Sequence, residues 1–142
     1  MQVAQILRRK GGEVATVTRA TAIPAVAAML KARGIGAVVV LEADGRIAGI
    51  LSERDIVYAL ADNGRGLDHL SAGDLMSRDV ATCRPGQDIN EVMRAMTDKR
   101  FRHMPVLDVD RLVGVISIGD AVKTRIEELE NEREALTSFI HG

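Results

Sequence analysis

The sequence predicts an α/β (α+β) fold made from two copies of one β-α-β-β-α unit, and three observations carry that prediction. A seven-residue stretch occurs twice: Gly49-Ile50-Leu51-Ser52-Glu53-Arg54-Asp55 returns 65 residues later as Gly114-Val115-Ile116-Ser117-Ile118-Gly119-Asp120. The match runs outward, with Val14-Ala15-Thr16 aligned to Val80-Ala81-Thr82 and Val40-Leu41 to Val106-Leu107 at a spacing of 66; Gly45 has no partner and accounts for the difference. Ile23, Val26, Ala27 and Leu30 align with Ile89, Val92, Met93 and Met96, at the i, i+3, i+4, i+7 spacing of one helix face. Repetition of this kind marks a repeated structural unit, here of about 45 to 50 residues.

In chain order, residues 3 to 10 form a short amphipathic segment ending in Arg8-Arg9-Lys10, and the segment resembles Ala72-Gly73-Asp74-Leu75-Met76 ahead of the second repeat. The basic trio reads as a solvated helix end, with a phosphate contact as the alternative. Val14 to Val17 is a short β-like run. Residues 22 to 33 form the first helix, with Pro24 in its first turn, where a missing N–H costs nothing, and Gly34 as terminator. Residues 37 to 41, all apolar, form a strand covered on both faces. Glu42 to Gly45 is a turn, Arg46 to Leu51 the returning strand, and residues 53 to 61 a second helix. Asp62 to Ser71 reads as a linker.

The second repeat follows the same order: Val80 to Cys83 as the short strand, Ile89 to Lys99 as helix, Met104 to Leu107 and Leu112 to Ile116 as strands. The domains are accordingly 1–70, the N-terminal helix with the first repeat and linker, and 71–142, the second repeat with an extended last helix. That helix is expected from Asp120 through Glu134, with Val122, Ile126, Leu129, Leu136 and Ile140 near one face. Such a stripe needs a cover, from the first repeat or from a second chain, and a homodimer is the expectation.

Composition excludes several functions. The chain has 142 residues, 46% hydrophobic and 27% charged, the balance of a globular domain. Aromatics are 2%, too few for a base-stacking surface. A formal charge of -1 gives no general attraction to nucleic acid or an anionic membrane. Cys83 is the one cysteine, which rules out an internal disulfide framework and fits a reducing compartment. No apolar run is long enough to span a bilayer, and with no signal segment at the start the cytoplasm is the expected location.

The repeated motif admits two compatible readings. Ser52 with Asp55, and Ser117 with Asp120, have the spacing of helix caps. The same turn, passing from a buried strand into a helix, aims backbone N–H groups at a bound phosphate. A carboxylate beside it is an acceptor suited to the two hydroxyls of a ribose. Basic side chains are distributed unevenly: Arg54 stands where the second repeat has Gly119, while Arg100, Arg102 and His103 replace Gly34, Gly36 and Ala37. Arginine matches phosphate oxygens, and ordinary surface arginines around a satisfied histidine are the alternative. Pro105 removes a ladder donor from its strand. Metal-ligand spacings, phosphate-binding glycine loops and nucleophile elbows are missing from the sequence, and Cys83 has no basic neighbour in sequence.

These residues resemble a tandem pair of cystathionine-β-synthase-type (CBS) domains from about Val14 to about Arg125. Both copies of the glycine-aliphatic-aliphatic-serine-x-x-aspartate motif match the family's ligand motif, and Arg100-Phe101-Arg102-His103-Met104-Pro105-Val106 resembles its central strand in small stand-alone bacterial pairs. The resemblance implies two βαββα repeats packed with pseudo-twofold symmetry, with clefts between them that take AMP, ADP, ATP, NAD or S-adenosylmethionine, and a regulatory module without chemistry of its own. It also implies dimerisation through helices, magnesium accompanying a polyphosphate ligand, and no redox cofactor. By position, Asp55 and Asp120 resemble the ribose-binding aspartates and Ser52 and Ser117 the neighbouring hydroxyls. Thr16 and Thr82 resemble positions beside each flanking strand, and Gly36, Ala37 and Val38, with His103, Met104 and Pro105, the backbone facing the base. The first repeat lacks the histidine-x-proline pair, so the second site is expected to be the stronger. Two further readings stay open: a scaffold docking a partner through its last helix, and an enzyme handling phosphate with Arg54, His103 and Asp120.

Overall fold

A computed structural model describes residues 1–11, 14–64 and 66–141. The chain divides into two units, Glu13–Val80 in one and Met1–Gly12 with Ala81–Gly142 in the other. Each holds one repeat, and each is completed by a segment lying just before the other repeat's first strand in sequence.

In the Glu13–Val80 unit, β1 (Thr16–Thr18) runs parallel to β2 (Ala37–Leu41), which pairs antiparallel with β3 (Ile47–Ser52). Helix α2 (Ile23–Arg33) ends at Gly34, in the left-handed conformation that glycine adopts at least cost. Helix α3 (Glu53–Asn63) follows β3 directly, then a 3-10 turn over Leu67–His69 and the one-turn α4 (Ala72–Leu75). The core joins Val17, Ile23, Val26, Leu30, Val38, Val40, Leu51, Ala72 and Met76. Ala27, expected on the core face of α2, is exposed, and Met29 packs against the core instead. Ala37 to Val40 are all buried, as a strand covered on both faces requires.

The other unit repeats this plan with β4 (His103–Asp108) and β5 (Arg111–Ser117) antiparallel, packed with α1 (Val3–Lys10), α5 (Ile89–Lys99) and α6 (Ile118–His141). Its core is the same set of positions in other residues: Cys83 for Val17, Ile89 for Ile23, Val92 for Val26, Met96 for Leu30, Met104 for Val38, Val106 for Val40, Ile116 for Leu51. The register agrees too, with a shift between Val40 and Leu41 in one hairpin and between Val106 and Leu107 in the other.

One predicted strand is not formed. Val80 to Cys83 is reduced to a single parallel bridge between Cys83 and Val106. In the first repeat the Val39 N–H donates to the Ala15 carbonyl at 3.1 Å. Its counterpart in β4 is Pro105, which has no N–H, so the ladder keeps only the bonds of Cys83 to Pro105 (3.0 Å) and of Leu107 to Cys83 (2.8 Å). Helix α6 is longer than expected at both ends.

The N-terminal helix belongs with the second repeat for a specific reason. Val3 N–H donates to the Gln87 carbonyl and Ala4 N–H to that of Pro85, both at 2.9 Å. In the first repeat Ala72 N–H donates to Thr21 (2.8 Å) and Gly73 N–H to Arg19 (2.9 Å). Gln2 bridges Asp88 as Ser71 bridges Ala22. Residues 2 to 7 therefore serve the second repeat as 71 to 76 serve the first, which gives the sequence likeness of the two segments a structural meaning.

Candidate functional site

Each repeat places its serine and aspartate at a strand-to-helix turn closed by the same two bonds from backbone N–H groups. Ser52 is the N-cap of α3: its Oγ accepts the Asp55 N–H at 3.3 Å, and Asp55 Oδ2 accepts the Ser52 N–H at 2.9 Å and the Ser52 hydroxyl at 3.1 Å. At the start of α6, Ser117 Oγ accepts the Asp120 N–H at 3.0 Å and Asp120 Oδ2 accepts the Ser117 N–H at 2.9 Å. These are capping boxes. A further bond ties each turn to the central strand: Glu53 N–H donates to the Gly36 carbonyl at 2.9 Å, and Ile118 N–H to the Arg102 carbonyl at 2.8 Å. The first and third helical N–H groups are thereby taken. The second, on Arg54 or Gly119, is the donor that none of these bonds uses.

The sheet decides which side chains share a face with each turn. Strand side chains alternate, so with Val38 and Met104 in their cores the opposite face carries Thr16, Ala37 and Ser52 in one unit and His103, Pro105 and Ser117 in the other. Ala37 lies directly across from Ser52, His103 from Ser117, and Pro105 from Val115. Val38 and Met104 can therefore offer a ligand only their backbone. Thr16 is half-buried beside Val39 in β1, while Thr82 is exposed. Arg54 and Arg102 are exposed and His103 is half-buried; Arg54 belongs to the first repeat's unit, the other two to the second's.

The two turns differ in one respect that the sequence reading missed. Lys10, at the end of α1, places its Nζ 2.8 Å from Asp120 Oδ2 and 2.9 Å from the Val115 carbonyl oxygen. Its neighbour Arg9 pairs with Glu127 at 2.6 Å. The basic end of α1 is thus neither simply solvated nor a free phosphate contact; it docks on the second repeat. Burial pushes the Asp120 carboxyl up, but the bonds from Lys10 and from the Ser117 N–H outweigh it, and the group lies below the usual aspartate value. The signal was available in the likeness of residues 3–7 to 72–76, which puts α1 beside β5.

Cys83 is buried, and burial alone pushes its thiol up to about 11, the setting of an inert structural cysteine. Among the described residues no cluster of three or more His, Cys, Asp or Glu side chains is placed to hold a metal. No described helix is long and apolar enough to cross a membrane.

Comparison with known proteins agrees with this architecture. The family model described as "CBS domain" matches residues 3–62 and 72–127, and the chain belongs to that family. CBS domains are regulatory modules rather than enzymes. The CBS domain-containing protein CBSX3, mitochondrial, of Arabidopsis thaliana is 33% identical over 112 residues, 76% of this chain; the chain spans 54% of that protein's length. The crystal structure of the CBS-domain containing protein ATU1752 from Agrobacterium tumefaciens superposes with a TM-score of 0.83 at 43% identity, covering 88% of this chain and 99% of that one. The CBS domain protein PAE2072 from Pyrobaculum aerophilum, complexed with AMP, superposes with a TM-score of 0.75 at 25% identity, covering 84% and 89%.

Proposed function

We propose that the chain is a non-catalytic regulatory module that binds an adenine nucleotide, AMP, ADP, ATP or an NAD-like ligand, at its serine–aspartate turns. The observation that carries the reading is the duplicated turn itself. In each repeat a carboxylate is fixed through one oxygen by the backbone, beside a serine hydroxyl and an unused N–H at the positive end of a helix. An acceptor for the ribose hydroxyls thus stands next to donors for a phosphate. The AMP held by the Pyrobaculum relative supports the same ligand class. Thr16, Gly36, Ala37, Val38 and Arg54 in the first repeat, and Thr82, Arg102, His103, Met104 and Pro105 in the second, complete the proposed site residues, with magnesium accompanying a polyphosphate. Occupancy acts on a target by favouring one conformation of the module, which requires the ligand to bind that conformation better. The lone cysteine suits a reducing compartment, and we read the module as cytoplasmic.

Isothermal titration with AMP, ADP, ATP, NAD and S-adenosylmethionine tests this. At least one binds, and Asp55→Ala, which removes a charged acceptor, weakens it by about tenfold or more. Silence from all five at millimolar ligand ends the nucleotide reading.

The exposed apolar positions of α6 favour a second element of the proposal, a homodimer formed through that helix. They also fit a scaffold that docks a partner there without a ligand. Thermal shift separates the scaffold from the sensor, because a ligand bound to the folded state raises apparent stability.

A further inference from the structure

The two turns share their backbone caps and their tie to the central strand, so the group that further holds each carboxylate ranks them. Asp55 Oδ2 is held by the N–H and hydroxyl of its own Ser52. A serine hydroxyl rotates freely and can turn to a ligand at little cost. Asp120 Oδ2 is held by the Ser117 N–H and by the Lys10 ammonium, and that ammonium is anchored a second time on the Val115 carbonyl. Displacing it breaks an ion pair and leaves an edge carbonyl without its donor.

The cause lies in how each unit finishes its outer strand edge. Ile50 exchanges two backbone bonds with Ser77, at 3.0 and 2.9 Å. Val115, the same position in β5, meets α1 instead, because α1 continues as helix through Arg8, Arg9 and Lys10 where the chain after Leu75 leaves helix and pairs through Ser77. The Lys10 side chain supplies the donor that Ser77 supplies by its backbone. Lys10 is 40% exposed against 22% for Asp120, so the ammonium reaches the carboxylate from the solvent side, the side from which a ligand must also come.

We propose that Lys10 is an internal latch on the second repeat's site: it occupies the Asp120 carboxylate in the unliganded protein, and a nucleotide entering there must release it. The inference rests on the nucleotide reading above and adds the ranking of its two sites and their coupling to α1. It makes Asp55 the readier site, reversing the order expected from the histidine-x-proline pair. It also gives the second site a mechanical output, since freeing Lys10 removes one of the two ion pairs, with Arg9–Glu127, that fasten the last turn of α1 to α6.

The test uses AMP and the full chain. Asp55→Asn removes the first carboxylate and leaves weak binding at the second site. Adding Lys10→Met, which keeps most of the aliphatic stem, strengthens that residual binding about three- to fivefold, the range set by a partly exposed ion pair. Residual binding that is unchanged or weaker in the double variant overturns the latch. Amide hydrogen exchange of Arg8 to Lys10 gives a second readout that needs no ligand: Lys10→Met alone speeds it severalfold, and unchanged exchange also overturns the proposal. If AMP binds neither the wild type nor Lys10→Met while that exchange does accelerate, the contact stands as a structural fastening and the nucleotide reading is what fails.

Discussion

Gly49 and Gly114 open the same motif for different steric reasons. A Cβ on Gly49 would lie 2.5 Å from the Ser77 carbonyl oxygen and 2.8 Å from Met76 Sδ, and that carbonyl is fixed by its bond to the Ile50 N–H. A Cβ on Gly114 would meet the Leu7 side chain, with Cγ at 3.2 Å, and a leucine end can turn aside. Gly49→Ala therefore costs about 1–3 kcal/mol, as forced backbone shifts do, and Gly114→Ala less than about 1 kcal/mol. Urea denaturation of the two variants checks the order, and equal losses contradict it. The left-handed C-cap of α2 is Gly34, but α5 ends in the same conformation on Arg100, with φ 59°, where a side chain costs roughly 1–2 kcal/mol. The serine–aspartate caps were legible from spacing alone because capping is a local interaction. Lys10 was not, because its partner lies 110 residues away and only the docking of α1 brings them together.

Among the elements, those whose signal is internal were read closely: α5 and β2 at their observed bounds, and α3 and β5 nearly so. The missing strand at Val80 to Cys83 was different, because strand formation depends on the partner. Pro105 was identified as the loss of a donor, yet the consequence falls on the chain opposite it. Helix α6 carries the next prediction. Val122, Ile126, Leu129, Leu136 and Ile140 are 44 to 74% exposed, spaced by four, three, seven and four residues, steps that keep to one seam of a seven-residue helix-pairing repeat. If a second copy covers that stripe, placing a charge in it opposes the pairing. Sedimentation equilibrium at tens of micromolar is expected to show a dimer, and Leu129→Glu with Leu136→Glu to give a monomer with unchanged helical circular dichroism. A wild-type monomer at that concentration removes the dimer.

At the scale of the whole molecule, sequence order and structural grouping part company at the N-terminus. A division of the sequence near residue 70 follows the repeats, whereas the contacts place Met1–Gly12 with Ala81–Gly142. A pattern reading sees only neighbours in sequence, so a helix that docks across an entire repeat is invisible to it unless its duplicate is recognised. The grouping has a measurable consequence. Val3 and Ile6 are 0% and 4% exposed in the core formed by Cys83, Ile89, Met104, Val106 and Ile116, and each fully buried side chain of this size contributes about 1.5–3 kcal/mol. Val3→Ala with Ile6→Ala leaves cavities on one side only and costs roughly 3–6 kcal/mol by the series for large-to-small core changes. Hydrogen exchange in the double variant should therefore lose protection in α5, β4 and β5, more than 75 residues along the chain from the substitutions. Strands β1 to β3, which begin within ten residues of Ile6, should keep theirs. Loss concentrated in β1 to β3 instead would mean that α1 serves the repeat it precedes, and the parallel between residues 2–7 and 71–76 would have to be given up.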